Sequence, residues 1–154
     1  MSTTKGKNIL IVDDDEDLTN LFQTFLEYDG YRVDAFTDPI DALYYFRKNT
    51  YDLGLLDLKM PKMNGMEFKK AIDKDLGLRG KSIPFIFATT APVKPEITEA
   101  YEYRVQGYFR KPNTTEEQAD MLDIIIKYWI ISIHPNKDVD VHASRQTVSK
   151  RTTA

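Results

Sequence analysis

Five short apolar runs, each followed by a stretch with helical spacing, constrain this chain more than any other feature. The runs are residues 8–12, 31–35, 53–56, 83–88 and 107–110. Three of them (Ile9-Leu10-Ile11-Val12, Leu53-Gly54-Leu55-Leu56 and Phe85-Ile86-Phe87-Ala88) are nearly continuous rather than alternating. Strands read this way when helices cover both faces of a parallel sheet. Between them, Leu18, Leu21, Phe22, Phe25 and Leu26 recur at helical spacing, with Gly30 as a stop. Asp38-Pro39 is an N-cap followed by a first-turn proline, opening a helix to about Lys48. Further helices are predicted over 66–76, over 95–105, and from the capping-box sequence Thr114-Thr115-Glu116-Glu117 to about Ile131. Five βα units in succession predict an α/β fold, a doubly wound five-stranded parallel sheet with five helices and right-handed crossovers.

With 154 residues, the chain can bury a proper core in one domain, here expected over 1–133. The absence of cysteine excludes disulfides, thiolate metal sites and cysteine nucleophiles. A formal charge of −3 gives no general pull toward nucleic acid or an acidic membrane, and neither is expected as a partner. The first residues lack the apolar core of a secretory signal, and the most apolar stretch, 124–133, is too short to span a bilayer. A cytoplasmic location is the expectation. Residues 134–154 are polar and read as a flexible tail, and His134 and His142 lack metal-ligand spacing and a special role.

Open α/β sheets bind ligands beyond the carboxyl ends of their strands, near the point where strand order reverses. In this chain the first run ends in Asp13-Asp14-Asp15, the third in Asp57, the fourth in Thr89-Thr90, and the fifth in Lys111-Pro112. Carboxylates gathered on one rim repel unless a cation intervenes or one takes a proton. Mg²⁺, a hard cation that prefers oxygen, is the natural partner. With a lysine and a hydroxyl opposite, such a rim suits a phosphoryl group, and a carboxylate can serve as the nucleophile that accepts it. Each residue has a plainer reading: Asp14 or Asp15 could cap the following helix, and a lone strand-end aspartate or Lys-Pro pair is common.

Taken together, Ile9-Leu10-Ile11-Val12-Asp13-Asp14, Leu55-Leu56-Asp57-Leu58-Lys59-Met60-Pro61-Lys62-Met63-Asn64-Gly65, Ile83-Pro84-Phe85-Ile86-Phe87-Ala88-Thr89 and Gly107-Tyr108-Phe109-Arg110-Lys111-Pro112 resemble the receiver domain of two-component response regulators. The resemblance covers about residues 7–131 and implies a flavodoxin-like (βα)5 fold. It implies Asp57 as phosphoacceptor, charged from a sensor histidine kinase or a histidine phosphotransfer protein. It further implies Mg²⁺ bound by the side chains of Asp14 and Asp57, by Asp13 through water and by the Lys59 backbone carbonyl. Thr89 would hydrogen-bond the phosphoryl oxygen, Lys111 would pair with it, and the Lys111–Pro112 bond would be cis. Tyr108 would be the aromatic switch that carries the signal to the face of the fourth and fifth helices, although it also fits a half-buried edge-strand tyrosine.

Gly54 departs from the family's usual branched apolar residue, leaving a gap or permitting a close approach. Lys59 is placed to reach over the site or to point into solvent. In the last helix, Leu122, Ile125, Ile126 and Trp129 form one apolar stripe, and Met121, Ile124, Tyr128 and Ile131 a second. The second stripe is expected to meet a downstream protein or a second copy of the chain, unless the tail covers it. The chain thus reads as a stand-alone receiver, not a turnover enzyme, with intrinsic self-phosphorylation and self-dephosphorylation. The competing readings are a phosphorelay intermediate, an interaction scaffold, and a haloacid-dehalogenase-type phosphatase. Asp13-x-Asp15 suggests the last of these, but Asp17 stands where that family has threonine or valine.

Overall fold

The structure is a computed structural model and describes residues 7–79 and 83–133. The polar segment 134–154, including His134 and His142, lies outside the described residues. The chain runs β1 (Asn8–Val12), α1 (Glu16–Tyr28), β2 (Arg32–Phe36), α2 (Pro39–Lys48), β3 (Leu53–Asp57), α3 (Gly65–Lys74), α4 (Leu76–Arg79), β4 (Phe85–Thr89), α5 (Lys94–Glu102), β5 (Gly107–Arg110) and α6 (Thr115–Ile131). The strands form one parallel sheet in the order β2-β1-β3-β4-β5. Six helices are described rather than the five expected. The extra one, α4, is a single turn started by Asp75, whose carboxylate accepts the Gly77 and Leu78 N–H groups at 2.9 and 3.3 Å. Such local capping carries no periodicity to read.

Alternation along β1 shows why the sheet is covered twice. Leu10 and Val12 enter a core with Phe46, Phe68, Ile72 and Ala100 of α2, α3 and α5. Ile9 and Ile11 enter a second core with Leu18, Phe22, Leu122, Ile125 and Trp129 of α1 and α6. From Ile9 to Val12 the strand is apolar at every position because both faces are buried there.

Gly54 resolves as a close approach rather than a gap. It pairs with Phe85 across β3 and β4, and a Cβ on Gly54 would fall 2.6 Å from the Phe85 ring. The missing side chain is replaced by that ring, which also meets Phe46 and Phe68 at centroid distances of 5.9 and 6.4 Å. Strand order reverses between β1 and β3, so the residues ending those two strands meet in the middle of the sheet.

Candidate functional site

The rim is built by short-range rules. Asp15 caps α1 by accepting the Leu18 N–H at 3.2 Å, which leaves Asp14 exposed and uninvolved in the cap. Asp13 accepts the Asp15 N–H at 2.9 Å, fixing one of its oxygens. Asp57 is the last residue of β3, and its backbone is pinned from behind by Gly65. The Gly65 N–H donates to the Leu58 carbonyl at 2.9 Å, and a Cβ there would stand 2.5 Å from the Asp57 carbonyl oxygen. Only glycine permits that approach. The next segment begins α3 with a true capping box between Asn64 and Glu67. Thr114 caps α6 by accepting the Glu117 N–H, but the Glu117 carboxylate meets the Thr114 hydroxyl rather than the cap's backbone.

The predicted residues converge. Carboxylate oxygens of Asp13, Asp14 and Asp57 all lie within 4.8 Å of one another. The Lys111 ammonium, carried in from β5, contacts Asp13 at 2.6 Å and Asp57 at 3.3 Å. Asp13, Asp57, Thr89 and Lys111 are buried. Three carboxylates against one ammonium leave two uncompensated negative charges, the complement of one divalent cation. The Thr89 hydroxyl is buried with no protein hydrogen-bond partner, a donor held ready for an oxygen that the chain itself does not supply. Both features fit a cation and an oxyanion.

The electrostatics agree. Burial, reinforced by the Asp13 charge and opposed by Lys111, pushes the Asp57 carboxyl up to about 7. Burial likewise raises Asp13 despite its contact with Lys111. Burial alone would lower Lys111, but Asp13 and Asp57 outweigh it and the net shift is upward. A metal-free cluster of this kind is short of positive charge.

Around this centre the outcome is mixed. The Lys59 N–H approaches Asp57 at 3.3 Å, and its ammonium reaches across the mouth to the Ala91 carbonyl at 3.4 Å. Of the two orientations open to it, the side chain takes the reach over the site. The Lys111–Pro112 bond is trans, since no described peptide is cis. This corrects the expectation: trans is the intrinsic default before proline by about 0.5–1 kcal/mol, and the Lys111 side chain reaches both carboxylates without the cis form. Lys62 was missed by sequence reading. It holds a left-handed backbone at φ 69° and pairs with Asp38, the cap of α2, at 2.8 Å. Its position after Pro61 in a tight loop was the only signal available.

Residues 9–123 match the response regulator receiver domain family. The chain belongs to that family. Among its relatives, the transcriptional regulatory protein RprY of Bacteroides fragilis is 30% identical over 119 residues, 77% of this chain and 49% of the relative. The response regulator SaeR of Staphylococcus aureus is 32% identical over 110 residues, 71% of this chain and 46% of the relative. This receiver therefore spans about half the length of the curated relatives it matches. Among solved structures, the phosphorylated cyanobacterial phytochrome response regulator RcpA is similar at a TM-score of 0.76 and 26% identity, covering 84% of this chain and 99% of that one. The non-phosphorylated HemR receiver domain of Leptospira biflexa gives 0.71 and 30%, covering 84% and 98%.

Away from the rim, Tyr108 of this receiver lies half-buried on the edge strand β5, its ring 6.3 Å from Phe87 and its hydroxyl buried. On α6, Leu122, Ile125, Ile126 and Trp129 are buried as expected. Met121 joins them rather than the second stripe, because it packs in the α1/α6 core. Ile124 (59% exposed), Tyr128 (47%) and Ile131 (80%) remain outside. No helix among the described residues is long and apolar enough to cross a membrane.

Proposed function

We propose that this receiver is a phosphorylation switch in which Asp57 accepts a phosphoryl group from a phosphohistidine of a sensor kinase or a phosphotransfer protein. The observation that carries the reading is the pairing of a buried strand-end carboxylate with a buried, unpartnered threonine hydroxyl and a lysine that touches the carboxylate. An Asp57 oxygen attacks phosphorus, the P–N bond breaks, and its electron pair leaves on the imidazole nitrogen. Lys111 keeps its proton throughout and neutralises charge on the incoming oxygens, while the Thr89 hydroxyl donates to one of them. Asp14 and Asp57 through their side chains, Asp13 through water, and the Lys59 carbonyl would hold Mg²⁺, which would supply charge neutralisation at the phosphoryl oxygens.

The readout is a change in protein contacts of the α5–β5–α6 face, with Tyr108 as the moving aromatic and Ile124, Tyr128 and Ile131 as the apolar contact set for a target or a second copy. The chain is a phosphoacceptor with intrinsic self-phosphorylation and self-dephosphorylation rather than a turnover enzyme, and it acts in the cytoplasm beside its kinase. Intact mass after incubation with Mg²⁺ and a small acyl phosphate tests this. One labile phosphoryl adduct, lost in Asp57→Asn, is expected. Steady hydrolysis without an adduct would replace the switch with a phosphatase, and inertness toward both acyl phosphate and a phosphohistidine donor would leave only a scaffold.

A further inference from the structure

The Thr89 hydroxyl, Glu96 Oε2 and the Tyr108 hydroxyl are buried polar atoms without a protein hydrogen-bond partner. Thr89 is accounted for by the phosphoryl site. The other two are not. Glu96 sits in the first turn of α5, one helical turn before the fully buried Ala100, so it belongs to the inward stripe of that helix. Ala100 and the Tyr108 ring belong to the same core. The carboxylate acts on the phenol through space: burial first, and the Glu96 charge second, raise the Tyr108 hydroxyl.

No ion pair satisfies Glu96 among the described residues. Lys70 of α3, which reaches α5, is engaged by Glu99 at 3.4 Å and lies 5.2 Å over the Tyr103 ring. A buried carboxylate oxygen with no donor, on α5, thus lies within electrostatic reach of a buried phenol with no acceptor, on β5. Native proteins rarely leave such complementary groups apart.

We propose that Glu96 is the acceptor that captures the Tyr108 hydroxyl in a second arrangement, holding β5 against α5 once the phosphoryl group has engaged Thr89. The idea rests on the phosphoacceptor reading of Asp57 and adds a residue to it. Tyr108 pairs in register with Phe87, two residues before Thr89 on β4, so a displacement of the Thr89 end of β4 reaches the phenol directly. A contact made in one state only is what shifts an equilibrium. Glu96 is thus a positioning residue for the switch, acting through Tyr108.

The test uses the full chain with Mg²⁺ and beryllium fluoride as the phosphoryl analogue, its binding constant measured by calorimetry in a double-mutant cycle. Tyr108→Phe should weaken binding about tenfold beside Glu96, the weight of one hydrogen bond to a charged acceptor. In Glu96→Ala the same change should cost less than about twofold, and in Glu96→Gln, which keeps an acceptor and the side-chain volume, an intermediate factor. Equal losses in all three backgrounds would overturn the proposal, as would a Glu96→Ala effect that is the same with Phe at position 108. The phosphoryl adduct on Asp57, followed by mass, separates the two layers. Normal adducts with additive losses remove the Glu96 contact alone, whereas no adduct and no analogue binding in the wild type removes both.

Discussion

Asp57→Asn should make the metal-free protein more stable above neutral pH, and the size of the effect follows from the rim. The Asp57 carboxyl stands at about 7 against an ordinary 3.8, raised first by burial and then by the Asp13 charge. The folded state therefore binds this proton more tightly than the unfolded chain does. Its stabilising contribution is full below about pH 4 and is lost as pH rises through about 7. Three pH units at about 1.4 kcal/mol each set an upper bound near 4 kcal/mol, and solvent reaching the rim reduces this to about 2–3 kcal/mol. Asparagine keeps the shape and never ionises, so it escapes that loss. In chelator at pH 8 the variant should unfold roughly 5–10 °C above wild type, while at pH 5 about a third of that gap should remain and only below about pH 4 should the two nearly coincide. Adding Mg²⁺ at pH 8 should close the gap from the other side, raising wild type by about 2.7 kcal/mol at a hundredfold excess over its dissociation constant and the variant by less. Thermal melts monitored by circular dichroism at both pH values, with chelator or with Mg²⁺, provide the measurement. A variant no more stable than wild type at pH 8, or a gain that does not change with pH, would refute the electrostatic account of the rim.

Gly65→Ala should cost about 1–3 kcal/mol, because its Cβ meets backbone atoms of Asp57 and Leu58 that cannot step aside. It should also weaken the Mg²⁺-dependent rise in melting temperature, and an unchanged melt would show that the approach is not tight. Asn64→Ala removes the α3 capping box and should lower stability by about 1 kcal/mol in urea titration. Gly54→Val should be strongly destabilising alone, and less so when Phe85→Leu makes room for it. Strict additivity of those two changes would argue against the ring-for-side-chain exchange. Lys62→Gly should raise the melting temperature, because relief of a left-handed lysine outweighs an exposed ion pair.

What could be read in advance divides along physical lines. Continuous apolar runs report burial on both faces, and burial is a sum over many side chains. So β1, β3 and β4 and the two-sided cover were legible, with β4 displaced by two residues at its start. The site was legible because it lies at strand ends. An acidic, hydroxyl or basic residue there interrupts the apolar pattern, and Asp13, Asp57, Thr89 and Lys111 do meet on one rim. Single local events were not legible. The turn of α4 depends on one carboxylate, that of Asp75. The choice between Asp14 and Asp15 as the α1 cap, which leaves Asp14 for the rim, depends on one hydrogen bond.

Gly54 shows the boundary between the two kinds of information. A glycine in a buried strand announces that something must fill the space, but only pairing register says what does. That register places Phe85 opposite, and the same ring carries the Phe46 and Phe68 contacts that seal the core under α2 and α3. Glu96 lies beyond the boundary for a different reason. A glutamate in the first turn of a helix reads as a favourable charge near the dipole's positive end, which is sufficient explanation in sequence. Only the burial of its Oε2 beside an equally unpartnered phenol makes it anomalous. The residues proposed to carry phosphoryl chemistry are thus visible as breaks in a pattern, whereas the residue proposed to read it out conforms to its pattern and stands out only by what it fails to touch.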